Sequence, residues 1–136
     1  MFRNVLVPVD LQDAERARRI VGIGKSLLDE GGVLRLLHIV PVLPTYAEGY
    51  MPTGIYDEGV KDSRDKVAAI ASELGVEAQV KVLTGVPHVE ILEQARHEAP
   101  DLIIIGSHRP GLSDYFLGST AARVVRHAQC AVLVDR

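Results

Sequence analysis

The chain has 136 residues, 47% hydrophobic and 24% charged, with a formal net charge of -3 and a pI near 5.9. That length supports one domain, residues 1–136, with a sizeable core, and a mildly acidic balance without Lys/Arg clusters lacks the electrostatic footprint of a DNA- or RNA-binding protein. No apolar stretch approaches a membrane span, no secretory pattern precedes the first strand-like segment, and the lone Cys130 excludes an internal disulfide, so the expectation is a cytoplasmic protein with a structural thiol.

Asn4 to Asp10 (NVLVPVD) is a nearly unbroken apolar run of strand length, as in a central parallel strand covered on both faces, and Pro8 marks where the backbone leaves the sheet. Asp13 then reads as the N-cap of a helix carrying Ala17, Ile20, Val21, Gly24, Leu27 and Leu28 at helical spacing, with Gly31-Gly32 as its stop. Val33 to Val40 (VLRLLHIV) is the second strand. Pro41 to Glu58 holds three prolines, three of the four tyrosines and no clear period, and so long a loop in a compact domain is usually functional or mobile. Helical spacing resumes at Val60 and runs through Val67, Ile70, Ala71 and Leu74 to Gly75.

Val76 to Leu83 (VEAQVKVL) alternates apolar and polar residues, which suits an edge strand. Gly85 and Pro87 open a helix carrying Ile91, Leu92 and Ala95, closed by Pro100. Asp101 to Gly106 (DLIIIG) is the most apolar strand and belongs in the middle of the sheet. Ala121, Val124, Val125 and Ala128 stripe a last helix, and Ala131 to Val134 forms the final strand. The succession β-α-β-α-β-α-β-α-β predicts an α/β protein, a three-layer, doubly wound, five-stranded parallel sheet with the Rossmann-like order 3-2-1-4-5. In that order strands 1 and 4 meet at the topological switch point, where ligands bind at the carboxyl ends. Pro8 to Asp10 and the chain from Gly106 onward are therefore the segments of interest.

After strand 4 the chain reads GSHRPGLSDYFLGST, with glycines at 106, 111 and 118 and a Ser119-Thr120 pair opening the last helix. Glycines let backbone N–H groups approach an anion, and a helix N-terminus offers unpaired donors, so the segment either holds phosphate or simply carries Ser119 as a helix N-cap. Asp10 either meets sugar hydroxyls or caps the following turn. Arg109 either pairs with phosphate oxygens or points to solvent. His108 reads as a hydrogen-bonding group, since no carboxylate near it in sequence stands to orient it as a base. His38, His88, His97 and His127 lack metal-ligand spacing, and the last two suit helix C-termini. Tyr46, Tyr50, Met51 and Tyr56 read first as covers of the core or of a dimer interface, with a lid over a ligand as the alternative.

From NVLVPVD through LLHIV to GSH…GST…RHAQCAVLV, the whole chain resembles the universal stress protein family. Nucleotide-binding members carry a Gly, two residues, Gly, nine residues, then Gly followed by Ser or Thr. Gly106 and Gly118-Ser119 match its ends; Arg109 stands at the second glycine, the loop is one residue shorter, and Gly111 takes over the flexible role. This shortened variant resembles the short F/G-type subgroup, in which ATP binding is expected. The resemblance implies that Pro8, Val9 and Asp10 line the ribose and adenine side, with Asp10 near the sugar hydroxyls or a Mg2+ ion. It further implies that the main chain at Ile39 reads adenine, that Ile105 packs beside the base, and that Gly106, Gly118, Ser119 and Thr120 hold the phosphates, with Ser107, His108, Arg109 and Gly111 in the loop between.

No Walker loop is present, and LQDAE stands where a dinucleotide fingerprint would follow strand 1, so neither a P-loop hydrolase nor a dehydrogenase is supported. The expectation is an ATP-binding regulatory or stress-response protein rather than a conventional enzyme. An interaction module without nucleotide binding and a slow ATPase are the alternatives. The short apolar final strand, Ala131 to Val134, is an edge that a second copy would cover in a homodimer.

Overall fold

The computed structural model describes residues 1–42, 55–107 and 117–136, and for residues 55–58 the backbone alone. The apolar runs form strands β1 (Phe2–Pro8), β2 (Leu28–Pro41), β3 (Gln79–Gly85), β4 (Leu102–Gly106) and β5 (Ala131–Asp135). Between them lie helices α1 (Ala14–Leu27), α2 (Ile55–Glu73), α3 (Pro87–Glu98) and α4 (Ser119–His127). The sheet is parallel throughout and ordered β3-β2-β1-β4-β5, so the predicted architecture holds and β1 and β4 are neighbours.

Because successive strand residues point to opposite faces, a sheet covered by helices on both sides needs apolar residues at every position. The two cores divide the strands in this way. Val5, Val7, Leu34, Leu36 and Ile104 pack with α1 and α2 residues such as Ile20, Val21, Val67 and Ile70, whereas Leu6, Leu37, Ile39, Ile103 and Ile105 pack with Ile91, Ala121 and Val124 of α3 and α4. Cys130 packs half-buried against the second core, and burial, followed by the Asp101 charge, pushes its thiol pKa up, as befits an unreactive thiol.

Local details depart from the sequence reading in four places. Gly31-Gly32 does not stop α1; the helix ends at Leu27, Leu28 already has extended backbone, and the glycines lie inside β2 where the register with β1 shifts between Phe2 and Asn4. Pairing of Phe2 with Leu28 draws the chain into the sheet before the glycines are reached. Helix α2 begins at Ile55, ahead of Val60, so the end of the Pro41 to Glu58 stretch is helical. Gly85 is the last residue of β3, paired with Pro41, and Val86 caps α3 with Pro87 at its start. Val125 is 44% exposed, because α4 turns only Ala121 and Val124 fully inward.

Candidate functional site

A cavity of about 550 Å³ opens at the carboxyl ends of β1, β2 and β4, within the size range of small-ligand sites. It lies where α1 departs to one face of the sheet and α4 begins on the other, the crevice that strand reversal leaves uncovered. Pro8, Val9, Asp10, Ile39, Ile105, Gly106, Gly118, Ser119 and Thr120 all line it. Ser107 does not: its N–H donates to Asp135 O at 2.8 Å and its carbonyl accepts from Arg16, so its backbone ties β4 to β5. His108, Arg109 and Gly111 lie outside the described residues, as do Tyr46, Tyr50, Met51 and the side chain of Tyr56.

The walls differ in chemistry. Val9, Ile39 and Ile105 are buried apolar residues at strand ends, able to take a flat, weakly polar ring. The β1 exit is held by Val9 N–H donating to Leu37 O at 2.8 Å, and by His38 Nδ1, which donates to Val9 O at 2.8 Å because a carbonyl only accepts. Asp10 Oδ1 accepts from Gln12 N–H at 2.9 Å, so the turn-capping role is real. One oxygen serves that turn, and the exposed carboxylate still stands at the cavity wall.

Opposite Gly106 stands the first turn of α4. The N-cap is Gly118 rather than Ser119, and among the described residues no side chain caps the helix. An N-terminus without a side-chain cap leaves backbone donors and a positive dipole end to a ligand, and here Gly118, Ser119 and Thr120 line the cavity. This terminus, with the apolar walls and the Asp10 carboxylate, fits the base, phosphate and hydroxyl chemistry of a nucleotide. Among the described residues no group of three His, Cys, Asp or Glu is arranged to hold a metal ion.

Among the lining residues that escaped the sequence reading are Arg16 on α1, and Ser63 and Lys66 on α2. Lys66 is 63% exposed and paired with Asp62 Oδ2 at 2.9 Å. Arg16 is 24% exposed and lies across the ends of β4 and β5, with Nη1 donating to Ser107 O at 3.2 Å and to Asp135 O at 2.9 Å. Its stem passes so close to Gly106 that a Cβ there would stand 2.7 Å from Arg16 Cδ. A signal for Arg16 existed, since a cation in the first turn of a helix opposes the dipole and needs a compensating purpose.

The fold and site define a doubly wound α/β protein with a ligand cavity at its switch point. The chain belongs to the universal stress protein family, whose model matches residues 1–136. It is 32% identical to universal stress protein MJ0531 of Methanocaldococcus jannaschii over 98% of this chain and 82% of the relative. It is 28% identical to universal stress protein G of Escherichia coli O157:H7 over the full length of both. Among solved structures, hypothetical protein MJ0577 superposes with a TM-score of 0.78 at 27% identity, covering 98% of this chain and 95% of that one. A universal stress protein from Archaeoglobus fulgidus, solved in complex with dAMP, shares the fold at a TM-score of 0.67 and 23% identity, covering 98% and 97%. No helix among the described residues is long and apolar enough to cross a membrane.

Proposed function

We propose that this chain is a nucleotide-binding universal stress protein that takes ATP with Mg2+ and serves as a regulatory switch in a stress response. The observation that carries the reading is the α4 terminus, without a side-chain cap among the described residues, opening on the same cavity as Gly106 and the apolar Val9, Ile39 and Ile105. In this reading Ile39 and Ile105 hold the adenine and Asp10 meets the ribose hydroxyls or the metal ion. The N–H groups at Gly118, Ser119 and Thr120 hold phosphate oxygens, and His108, Arg109 and Gly111 add to the binding. The dAMP held by the Archaeoglobus fulgidus relative supports the class of ligand. Occupancy would act by favouring one conformational state over another, to the extent that the nucleotide binds one of them more tightly. A second copy pairing along β5, an edge strand with half-buried Val132, Leu133 and Val134, would complete the assembly.

The test is to denature freshly purified protein, identify any released nucleotide by chromatography, and titrate the emptied protein with ATP and Mg2+ by calorimetry. Released adenine nucleotide, or binding at sub-millimolar ATP, is the expected result. Absence of both overturns the reading. Light scattering of the same sample reads the dimer independently of the ligand.

A further inference from the structure

We propose that Arg16 is the phosphate-recognising cation of the cavity, the residue that makes the site prefer phosphorylated nucleotides to nucleosides. The inference rests on the adenine-nucleotide reading above and adds to it a residue on the opposite wall from α4.

Both N–H groups of Nη1 are used, one on Ser107 O and one on Asp135 O, and Nε stands 3.5 Å from Asp13 Oδ2. Nη2 has no hydrogen-bond partner among the described residues. No buried side-chain nitrogen or oxygen among those residues is left without a partner, so Nη2 is not buried, and Arg16 lines the cavity. Nη2 of this lining residue is therefore left to meet solvent or a ligand, while Nη1 is fixed by the backbone.

Placement and rigidity both favour an oxyanion as the third partner. An anion drawn to the start of α4 has on one side the helix donors and on the other the Gly106 wall, along which the Arg16 stem runs. A side chain already anchored by two carbonyls loses little freedom on accepting the ligand. Asp13 balances part of the charge with Oδ2 while its Oδ1 caps α1 at Arg16 N–H, 3.1 Å away, which keeps the guanidinium in place without ligand. The other lining cation among the described residues, Lys66, is far more exposed and already paired with Asp62. Without a P-loop lysine in the chain, a forked, permanently charged donor is the chemical substitute.

The experiment compares ATP, AMP and adenosine binding by calorimetry, with ligand-observed NMR for the weakest, in wild type, Arg16→Gln, Arg16→Lys and Arg18→Gln. Arg18 is the charge control: it sits on the same helix but pairs with Glu73 Oε2 at 2.8 Å. Arg16→Gln should weaken ATP and AMP by roughly 10- to 100-fold and leave adenosine within a few-fold of wild type, with Arg16→Lys between the two and Arg18→Gln unchanged. Wild-type ATP affinity in Arg16→Gln overturns the proposal, and so does an equal loss for adenosine, which would make Arg16 a merely structural clamp. Should Arg16→Gln fail to fold, arginine side-chain NMR of the wild type decides, with the Arg16 signal assigned from Arg16→Lys. That signal should shift on saturation with ATP and not with adenosine, and no shift overturns the proposal. Wild type that binds none of the three ligands overturns the nucleotide reading itself.

Discussion

Asp101 and Asn4 join the opposite end of the sheet from the cavity. Asp101 accepts from the N–H groups of Arg3 at 2.9 Å and Asn4 at 3.0 Å, and its own N–H donates to Asn4 O at 2.9 Å. Asn4 Nδ2 in turn donates to Glu98 O at 2.7 Å. The bond from Arg3 N–H is the main reason that the Asp101 carboxyl titrates below its ordinary range; burial opposes it, and the bond from Asn4 N–H adds to the lowering. A depressed native value means that the stabilisation is complete above the unfolded carboxylate pKa of about 4 and is lost as pH falls through the lower folded value. Asp101→Asn should therefore lower stability near neutrality by about 1 kcal/mol or less, given its exposure, and the difference from wild type should vanish in acid. Urea unfolding over a pH series reads both. Neither the partners of this knot nor those of the Arg16 clamp were legible in the sequence. Arg3 and Asn4 meet a carboxylate 98 and 97 residues away, and Arg16 meets carbonyls 91 and 119 residues away, distances that no local pattern encodes.

Helix ends show which local signals survive folding. Gly75, placed by the sequence reading as the stop of α2, has φ +63 just past the helix, the left-handed conformation that glycine enters freely. α3 makes the same kind of exit with an alanine: Ala99 has φ 48 and ψ 55, and its N–H bonds Ala95 O. A Cβ is strained there, so Ala99→Gly should raise stability by about 0.5–1 kcal/mol, read as a higher urea midpoint at unchanged slope. Asp13 was legible as the α1 cap, and its Oδ1 does accept from Arg16 N–H. The α4 cap was not, because Ser119 is the better capping residue by type, yet the backbone leaves Gly118 at the cap and Ser119 within the helix. Gly31-Gly32 misled for the converse reason: a glycine pair fits a register irregularity as well as a helix stop.

For the whole molecule, the unbroken apolar strands, the helical stripes and the alternation of β3 made the layers and the strand order legible, because each reports how many faces of an element are buried. Ile103 and Ile104 are both fully buried, one in each core. Truncating either to alanine should cost about 2–5 kcal/mol, whereas Val125→Ala on the exposed side of α4 should stay within about 0.5 kcal/mol. Chemical unfolding of the three variants tests whether both faces of the sheet bear equally on stability. The carboxyl ends of β1 and β4 were legible as the place for a site through this same topology, but the α2 wall of the cavity was not, since Ser63 and Lys66 follow a segment without period. The passage of the Arg16 stem over Gly106 has a consequence for how such chains can diverge. Among sequences keeping this backbone, a long side chain at 16 demands glycine at 106, and a shorter one releases that demand. Drift at the start of α1 and at the exit of β4 is thus correlated through space, and the order that avoids displacing a guanidinium shortens position 16 before position 106 gains a side chain.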